Sequence, residues 1–243
     1  MMASHPGSTT VVLVHGAFAD AGSWGPVIDR LLAAGIPVRA PAVPLRGLRS
    51  DSAYIASFIS QIPGPVLAVG HSYGGAVISN AATEATNVTG LVLVSGFAPE
   101  QDEALSEAEG TSRDSALAPA LVQAQFPTGV GDETAIELYV DADEFPAVFA
   151  ADLPAALAAT LAASQRPIAA SAFDEKSGAP AWKRLPTWSV VATGDKAAGS
   201  DVLLSMARRA NAETLQLEGS HLIMMSQPEP VTQVILTALE TVG

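Results

Sequence analysis

Short apolar runs alternate with amphipathic segments along most of this sequence. The run TTVVLV, which begins at Thr9, is rich in β-branched residues and is typical of a strand buried on both faces. Apolar residues at helical spacing follow in SWGPVIDRLLAAGI, where Gly35 indicates the end of a helix. The alternation continues with predicted strands in PVRAPAV, PVLAVG, TGLVLVSGF, PTWSVVATGD and AETLQLEGS, and predicted helices in SDSAYIASFISQI (capped by Ser50 or Asp51), GAVISNAATEA, SDVLLSMARRA and EPVTQVILTALETV. This order predicts an α/β fold with a doubly wound, mostly parallel sheet.

The alternation stops between about residues 98 and 185. Four segments there are rich in alanine and punctuated by proline, and they are predicted to form short helices: SALAPALVQAQF, DETAIELYV, FPAVFAADL and PAALAATLAASQ. No linker or internal repeat divides the chain into independent units. We therefore predict that residues 1–97 and 186–243 form one α/β core, and that residues 98–185 form a helical insertion in it.

Charge and composition narrow the choice of partners. The 243 residues carry a formal net charge of −13, which disfavours a nucleic-acid partner because phosphate binding needs clustered lysine and arginine. The absence of cysteine excludes disulfides and cysteine-ligated zinc. The polar N-terminal tail (residues 1–8) does not resemble a secretory signal, and no apolar segment approaches the length of a membrane span. We therefore expect a cytoplasmic protein without a membrane partner.

The segment GHSYGG, residues 70–75, follows the predicted strand PVLAVG and precedes a predicted helix. Its first five residues fit the pattern G-x-S-x-G, in which a serine lies on a sharp turn between a strand and a helix. Glycines are needed on either side because side chains there would collide with the neighbouring strand or helix. Ser72 is therefore the candidate nucleophile.

A serine hydroxyl needs a base, and histidine is the usual one. Of the four histidines, His5 lies in the tail and His15 belongs to the turn after the first strand. The side chain of His71 is expected to point away from that of its neighbour Ser72. His221 follows the last predicted strand, where a loop can fold back over the edge of the sheet, so His221 is the candidate base.

The base needs an acid that orients it and stabilises its charged form. Asp195 ends the strand PTWSVVATGD and is therefore expected at the same edge of the sheet as Ser72. Two alternatives are Asp201, which is expected to cap the next helix, and Glu218, which lies close to His221 along the chain. Asp195 is preferred, and the resulting order is serine, aspartate, histidine.

Acyl transfer also needs donors for a developing oxyanion. The backbone N–H after the nucleophile is that of Tyr73, and a second should come from the segment HGAF after the first strand. Within that segment Ala17 N–H is the first candidate and Phe18 N–H the alternative.

At this point the sequence resembles the α/β-hydrolase superfamily, and more narrowly small bacterial carboxylesterases related to the plant methylesterase and hydroxynitrile-lyase branch. The resemblance rests on VLVHGAFADAGSW, GHSYGG, VATGDK and GSHLIMMSQPE, which occur in the family's order and span nearly the whole chain. It implies a Ser72–Asp195–His221 triad, no cofactor or metal, and a helical cap over the site. The lyases of this branch carry threonine and lysine where this chain has Gly16 and Leu222, which argues against lyase activity.

The sequence thus predicts a serine esterase that acts on a small or medium, neutral, apolar ester or a lactone. The alternatives are a hydrolase-fold binding protein or receptor with little turnover, and a cofactor-free oxygenase or perhydrolase that uses the same site. The expected assembly is a monomer or a homodimer. Large apolar side chains are candidates for the substrate pocket: Phe18, Trp24, Phe126, Tyr139, Phe145, Phe149 and Met224.

Overall fold

A computed structural model describes residues 8–243 of the chain. Its strands are β1 (Thr10–Val14), β2 (Val38–Arg39), β3 (Val66–His71), β4 (Val88–Val94), β5 (Leu121–Pro127), β6 (Thr134–Val140), β7 (Ile168–Ala169), β8 (Thr187–Ala192) and β9 (Glu213–Leu217). Its α-helices are α1 (Gly25–Ala33), α2 (Leu48–Ser60), α3 (Tyr73–Ala81), α4 (Leu105–Glu109), α5 (Phe145–Phe149), α6 (Ala155–Ser164), α7 (Ser171–Asp174), α8 (Ser200–Arg209), α9 (Ile223–Ser226) and α10 (Pro228–Val242). Short 3₁₀-helices lie at Ala21–Trp24, Ala118–Ala120 and Ala181–Lys183.

Six strands form one parallel sheet, in the order β2-β1-β3-β4-β8-β9. Every residue of β1, β3 and β8 is buried, as expected for strands that are covered on both faces. In the sheet, β1 pairs with β2 along one edge and with β3 along the other, so the two connections that follow β1 run in opposite directions across the sheet. Right-handed crossovers therefore place α1 and α2 on opposite faces of the sheet, where α1 packs on α10 and α2 packs on α3. The predicted doubly wound fold is confirmed.

The segment between β4 and β8 contains a second, antiparallel sheet in the order β5-β6-β7. The prediction that this insertion is entirely helical is wrong, because SALAPALVQAQF ends in β5 and DETAIELYV forms β6. In β6, Ile136, Leu138 and Val140 alternate with other residues, which is the period of a strand. Gly129 and Gly131 have φ values of +85° and +53° and allow the turn between the two strands. The other two predicted segments do form helices, namely α5 and α6.

The N-terminus of α2 differs from the sequence-based expectation. The helix α2 begins at Leu48, so neither Ser50 nor Asp51 is its cap; Gly47 occupies that position. Asp51 is instead fully buried, where its carboxylate accepts hydrogen bonds from the Tyr73 hydroxyl at 2.9 Å and from the Arg46 amide at 3.3 Å. His5 and the predicted tail up to residue 7 lie outside the described residues.

Candidate active site

Ser72 lies at the sharp turn between β3 and α3, as the glycine pattern predicts. Its φ of +52° and ψ of −124° are strained for a residue with a side chain. The Ser72 carbonyl accepts hydrogen bonds from the Gly75 amide at 2.9 Å and from the Phe97 amide at 3.1 Å, which hold the turn. A Cβ at Gly74 would lie 2.5 Å from the Val14 carbonyl oxygen, so only glycine lets α3 start this close to β1.

Asp195 and His221 meet at the carboxyl end of the sheet, in the loops after β8 and β9. Nδ1 of His221 lies 2.6 Å from Oδ2 of Asp195, and both residues are about 1% exposed. Oδ1 of Asp195 accepts the amides of Ala197 at 3.0 Å and Ala198 at 2.9 Å. The carboxylate can only accept at Oδ2, so Nδ1 carries the proton and Nε2 of the neutral ring keeps a lone pair. The ring is thereby oriented and prepared to act as a base.

The two rival acids lie elsewhere. Asp201 is in the first turn of α8, where its carboxylate accepts the Ser112 hydroxyl at 2.6 Å and the Arg113 amide at 2.9 Å. Glu218 is exposed. Asp195 is therefore the acid that contacts the His221 ring.

Ser72 and His221 line the same small cavity, which is open to solvent on one side. In this conformation the hydrogen bond between the two side chains is not formed, and such bonds are often long or open before a substrate binds. The rest of the wall is apolar apart from one carboxyl group, and consists of Ala17, Phe18, Phe97, Glu109, Leu117, Phe149, Phe173, Ala197 and Ala198.

The amides predicted to bind an oxyanion remain available. Within residues 8–243, the N–H groups of Ala17, Phe18 and Tyr73 donate to no other protein group. Ala17 and Phe18 both line the cavity beside Ser72, and Tyr73 directly follows Ser72 at the start of α3. Phe18 has a φ of +59°, which turns the chain sharply after β1. The choice between Ala17 and Phe18 as the second donor stays a prediction.

Two further histidines hold this edge of the sheet together. Nε2–H of His71 donates to the His221 carbonyl oxygen at 3.0 Å, and Nε2 of His15 accepts the Val43 amide at 2.9 Å. Nδ1–H of His15 donates to the Gly16 carbonyl oxygen at 2.9 Å. Burial lowers the pKa of His71 well below its usual value and that of His15 to about 4. Both rings are therefore neutral, and they position the loops around Ser72.

The insertion also contacts the loop that carries His221. The Phe149 carbonyl accepts the Leu222 amide at 3.3 Å, and the Phe149 ring lies 4.6 Å from the His221 ring. The hydroxyl of Ser220 donates to the carboxylate of Asp152. The segment after α5 thus fixes the residues on both sides of His221.

The predicted pocket residues divide into three groups. Phe18 and Phe149 line the cavity with Ser72, and Phe145 lines a second cavity on the other side of Phe18. The structure does not place the remaining four on the wall of either cavity. Trp24 and Met224 are fully buried in the core, Phe126 lies under the Arg46 guanidinium at 4.2 Å, and Tyr139 donates to Glu137 at 3.1 Å.

Several wall residues were not predicted from the sequence. Phe97 follows β4, and Ala197 and Ala198 follow Asp195, so their positions after strands could have identified them. Glu109 and Phe173 come from the insertion, where no strand end marks them. Within residues 8–243, no group of three or more histidine, aspartate or glutamate side chains could hold a metal ion. No helix in the same range is long and apolar enough to cross a membrane.

Solved structures with the same architecture include three enzymes. Polyneuridine aldehyde esterase superposes with a TM-score of 0.79 at 18% identity, covering 95% of this chain and 99% of that chain. Tomato methylketone synthase I in complex with 2-tridecanone gives 0.79 at 20% identity, covering 97% and 99%. A pyrethroid hydrolase from Sphingobium faniae JZ-2 gives 0.75 at 19% identity, covering 96% and 98%. At these identities the likeness establishes a shared fold.

The fold that these structures share with the chain is the one that the sequence motifs predict. No curated protein matches the sequence. A family model described as the alpha/beta hydrolase family matches residues 11–234. Because this match covers most of the chain, the protein belongs to the α/β-hydrolase family.

Proposed function

We propose that this protein is a serine hydrolase that cleaves carboxylic esters through an acyl-enzyme intermediate. The observation that carries the proposal is the Asp195–His221 contact of 2.6 Å beside the same cavity that Ser72 lines. A buried acid, an oriented histidine and a serine on a strained turn are the parts that nucleophilic acyl transfer requires. Membership of the α/β-hydrolase family supports hydrolysis as the reaction class.

In the first half of the reaction, Nε2 of His221 accepts the hydroxyl proton of Ser72 while Oγ attacks the ester carbonyl carbon. Asp195 stabilises the imidazolium that forms, and its Oδ1 is held in place by the amides of Ala197 and Ala198. The carbonyl oxygen becomes an oxyanion, which the amides of Tyr73 and Ala17 bind. Each such donor contributes roughly 3 kcal/mol to transition-state stabilisation.

The intermediate then collapses, and the C–O bond to the leaving alcohol breaks. His221 donates its proton to the alcohol oxygen, which leaves the acyl group on Ser72. In the second half, His221 accepts a proton from water while the water oxygen attacks the acyl carbon. The bond between that carbon and Oγ of Ser72 then breaks, His221 returns the proton to Oγ, and the carboxylic acid leaves. Serine and histidine end in the states in which they began.

The cavity supports an ester with a small or medium apolar group, or a lactone. Four phenylalanines and a leucine form much of the wall, and they favour hydrocarbon over charged groups at those positions. Lyase activity is not supported. A Cβ at Gly16 would lie 2.7 Å from Cβ of Ser72, so the threonine of the related lyases does not fit the present arrangement, and Leu222 replaces their lysine.

The test is the initial rate of hydrolysis of p-nitrophenyl esters from acetate to decanoate. Ser72→Ala should lower the rate constant by about six orders of magnitude, to the level set by binding and the oxyanion amides. Ser79→Ala is the matched control, because Ser79 is fully buried on α3 and its hydroxyl has no hydrogen-bond partner within the described chain. Undiminished turnover in Ser72→Ala would contradict the mechanism. A wild-type protein that binds these esters without turnover would point to a binding protein instead.

A further inference from the structure

One carboxyl group interrupts the apolar wall of the active-site cavity. Glu109 ends the helix α4 and lines the same cavity as Ser72 and His221. Oε1 of Glu109 accepts the Ser115 hydroxyl at 3.3 Å, and the same hydroxyl lies 2.8 Å from the Ala197 carbonyl oxygen. Glu109 is therefore held beside the loop that follows Asp195, and within residues 8–243 its other carboxylate oxygen accepts no hydrogen bond.

The carboxyl group of Glu109 has no cationic partner. Within residues 8–243, the ion pairs of the chain leave Glu109 out, whereas Glu107 on the same helix pairs with Lys176 at the surface. Burial raises the pKa of Glu109 to about 7, and the charge of Asp195 adds to this while the Ser115 hydroxyl and His221 oppose it. A carboxylate in such a place is stabilised by any cation that enters the cavity.

We propose that Glu109 binds a protonated amino group of the substrate, so that the enzyme prefers esters with a basic nitrogen a few bonds from the scissile carbonyl. This inference rests on the proposed esterase function and names the charge of its substrate. The apolar wall around Glu109 binds the hydrocarbon part, and the ammonium group donates to the free carboxylate oxygen. The net charge of −13 also favours the approach of a cationic substrate.

An ammonium group fits this position better than a neutral hydroxyl. A neutral hydroxyl would donate one hydrogen bond to Glu109, whereas an ammonium group donates one and also stabilises the ionised form of the carboxylate. An anionic substrate would be repelled by both Glu109 and Asp195. The nitrogen could be carried by the acyl or by the alcohol part of the ester, and the experiment separates the two.

The experiment compares esters in which a protonated nitrogen replaces a CH group. On the acyl side the pair is ethyl 4-(dimethylamino)butanoate and ethyl 5-methylhexanoate. On the alcohol side the pair is 2-(dimethylamino)ethyl acetate and 3-methylbutyl acetate. Near neutral pH, wild-type kcat/KM should favour the amine in at least one pair by about 10- to 100-fold, the discrimination that a hydrogen bond to a charged group provides.

The variants assign the preference to one side chain. Glu109→Gln keeps the shape and the bond from Ser115 but removes the charge, so the ratio within the preferred pair should fall to about one. Glu107→Gln is the matched control on the same helix and should keep the wild-type ratio. A ratio near or below one in both pairs of the wild type overturns the proposal. So does a preference that survives in Glu109→Gln, or a variant that slows both members of a pair equally.

Calorimetric binding to Ser72→Ala separates this proposal from the proposed function. The variant cannot form the acyl-enzyme, so binding of each ester is measured without turnover. Tighter binding of an amine ester than of its neutral partner, lost when Glu109→Gln is added, supports the subsite even if no ester is hydrolysed. Equal affinities within both pairs overturn the subsite, and hydrolysis of the neutral esters by wild type then still supports the esterase.

Discussion

Replacing Asp195 by asparagine should abolish most activity by changing the tautomer of His221. Oδ1 accepts two backbone amides, those of Ala197 and Ala198. Only the amide oxygen of an asparagine can take that position, because its NH₂ group would oppose two N–H donors. The NH₂ group must then face Nδ1 of His221. Since a donor now faces Nδ1, the ring proton moves to Nε2, and His221 can no longer accept the proton of Ser72.

The size of the effect follows from the loss of the base. A wrong tautomer in such a triad lowers kcat by about four orders of magnitude, which is about 5 kcal/mol of transition-state stabilisation. Stability should change much less, because Asp195→Asn keeps both amide contacts and exchanges one charge-assisted hydrogen bond for a neutral one. We expect the free energy of unfolding to fall by about 1–2 kcal/mol.

The assay is hydrolysis of the best p-nitrophenyl ester, with urea unfolding of the same samples and ¹⁵N spectra of the His221 ring. Asp201→Asn is the matched control, because that carboxylate bonds Ser112 and Arg113 away from the histidine. Turnover by Asp195→Asn within tenfold of wild type would refute the reasoning. An equal loss in Asp201→Asn would show that the acid has been assigned wrongly.

Two further predictions concern buried carboxyl groups. Tyr73→Phe removes the only side-chain donor that residues 8–243 provide to the fully buried Asp51, and it should cost about 1–3 kcal/mol in urea unfolding. An unchanged midpoint and slope would contradict this. Folding raises the pKa of Glu109 from 4.5 to about 7, so the folded state binds this proton more tightly than the unfolded chain does. The contribution of Glu109 to the free energy of unfolding therefore falls as the pH rises from 4.5 to about 7. Glu109→Gln has no proton to lose at this position. Between the lower and the upper of these two pH values, its free energy of unfolding should therefore rise by about 1–2 kcal/mol relative to that of wild type, a range that allows for solvent screening of a partly exposed group. Parallel pH profiles of unfolding for the two proteins would contradict that expectation.

The three candidate triad residues could be predicted from the sequence because each of them lies just beyond the end of a strand. Ser72, Asp195 and His221 each follow a parallel strand closely, and the carboxyl ends of parallel strands meet at one edge of a sheet. Their order along the chain and the glycines around Ser72 are local features. The role of His71 is not local, since its bond to the His221 carbonyl joins residues 150 positions apart.

The insertion was harder to predict because two signals compete in it. Alanine favours helix, and the four alanines of SALAPALVQAQF made that segment resemble the neighbouring helices, although DETAIELYV has only one alanine. The alternating pattern in β6 favours a strand, and pairing with β5 and β7 decides the outcome. Phe126 and Tyr139, predicted for the pocket, lie on these two strands rather than around Ser72.

The position of Glu109 shows how a carboxyl group on the cavity wall can be overlooked in a sequence. The segment APEQDEALSEAEG is acidic, and its composition alone does not distinguish one of its glutamates from another. In α4, however, Leu105 and Ala108 are buried, and Glu109 follows Leu105 by four residues, which places it on the same face. Glu107 lies off that face and pairs with Lys176 outside. Helical periodicity therefore distinguishes the inward carboxyl group of Glu109 from the outward one of Glu107. Only the packing of α4 beside the loop after Asp195 shows that the inward face borders the cavity that Ser72 lines.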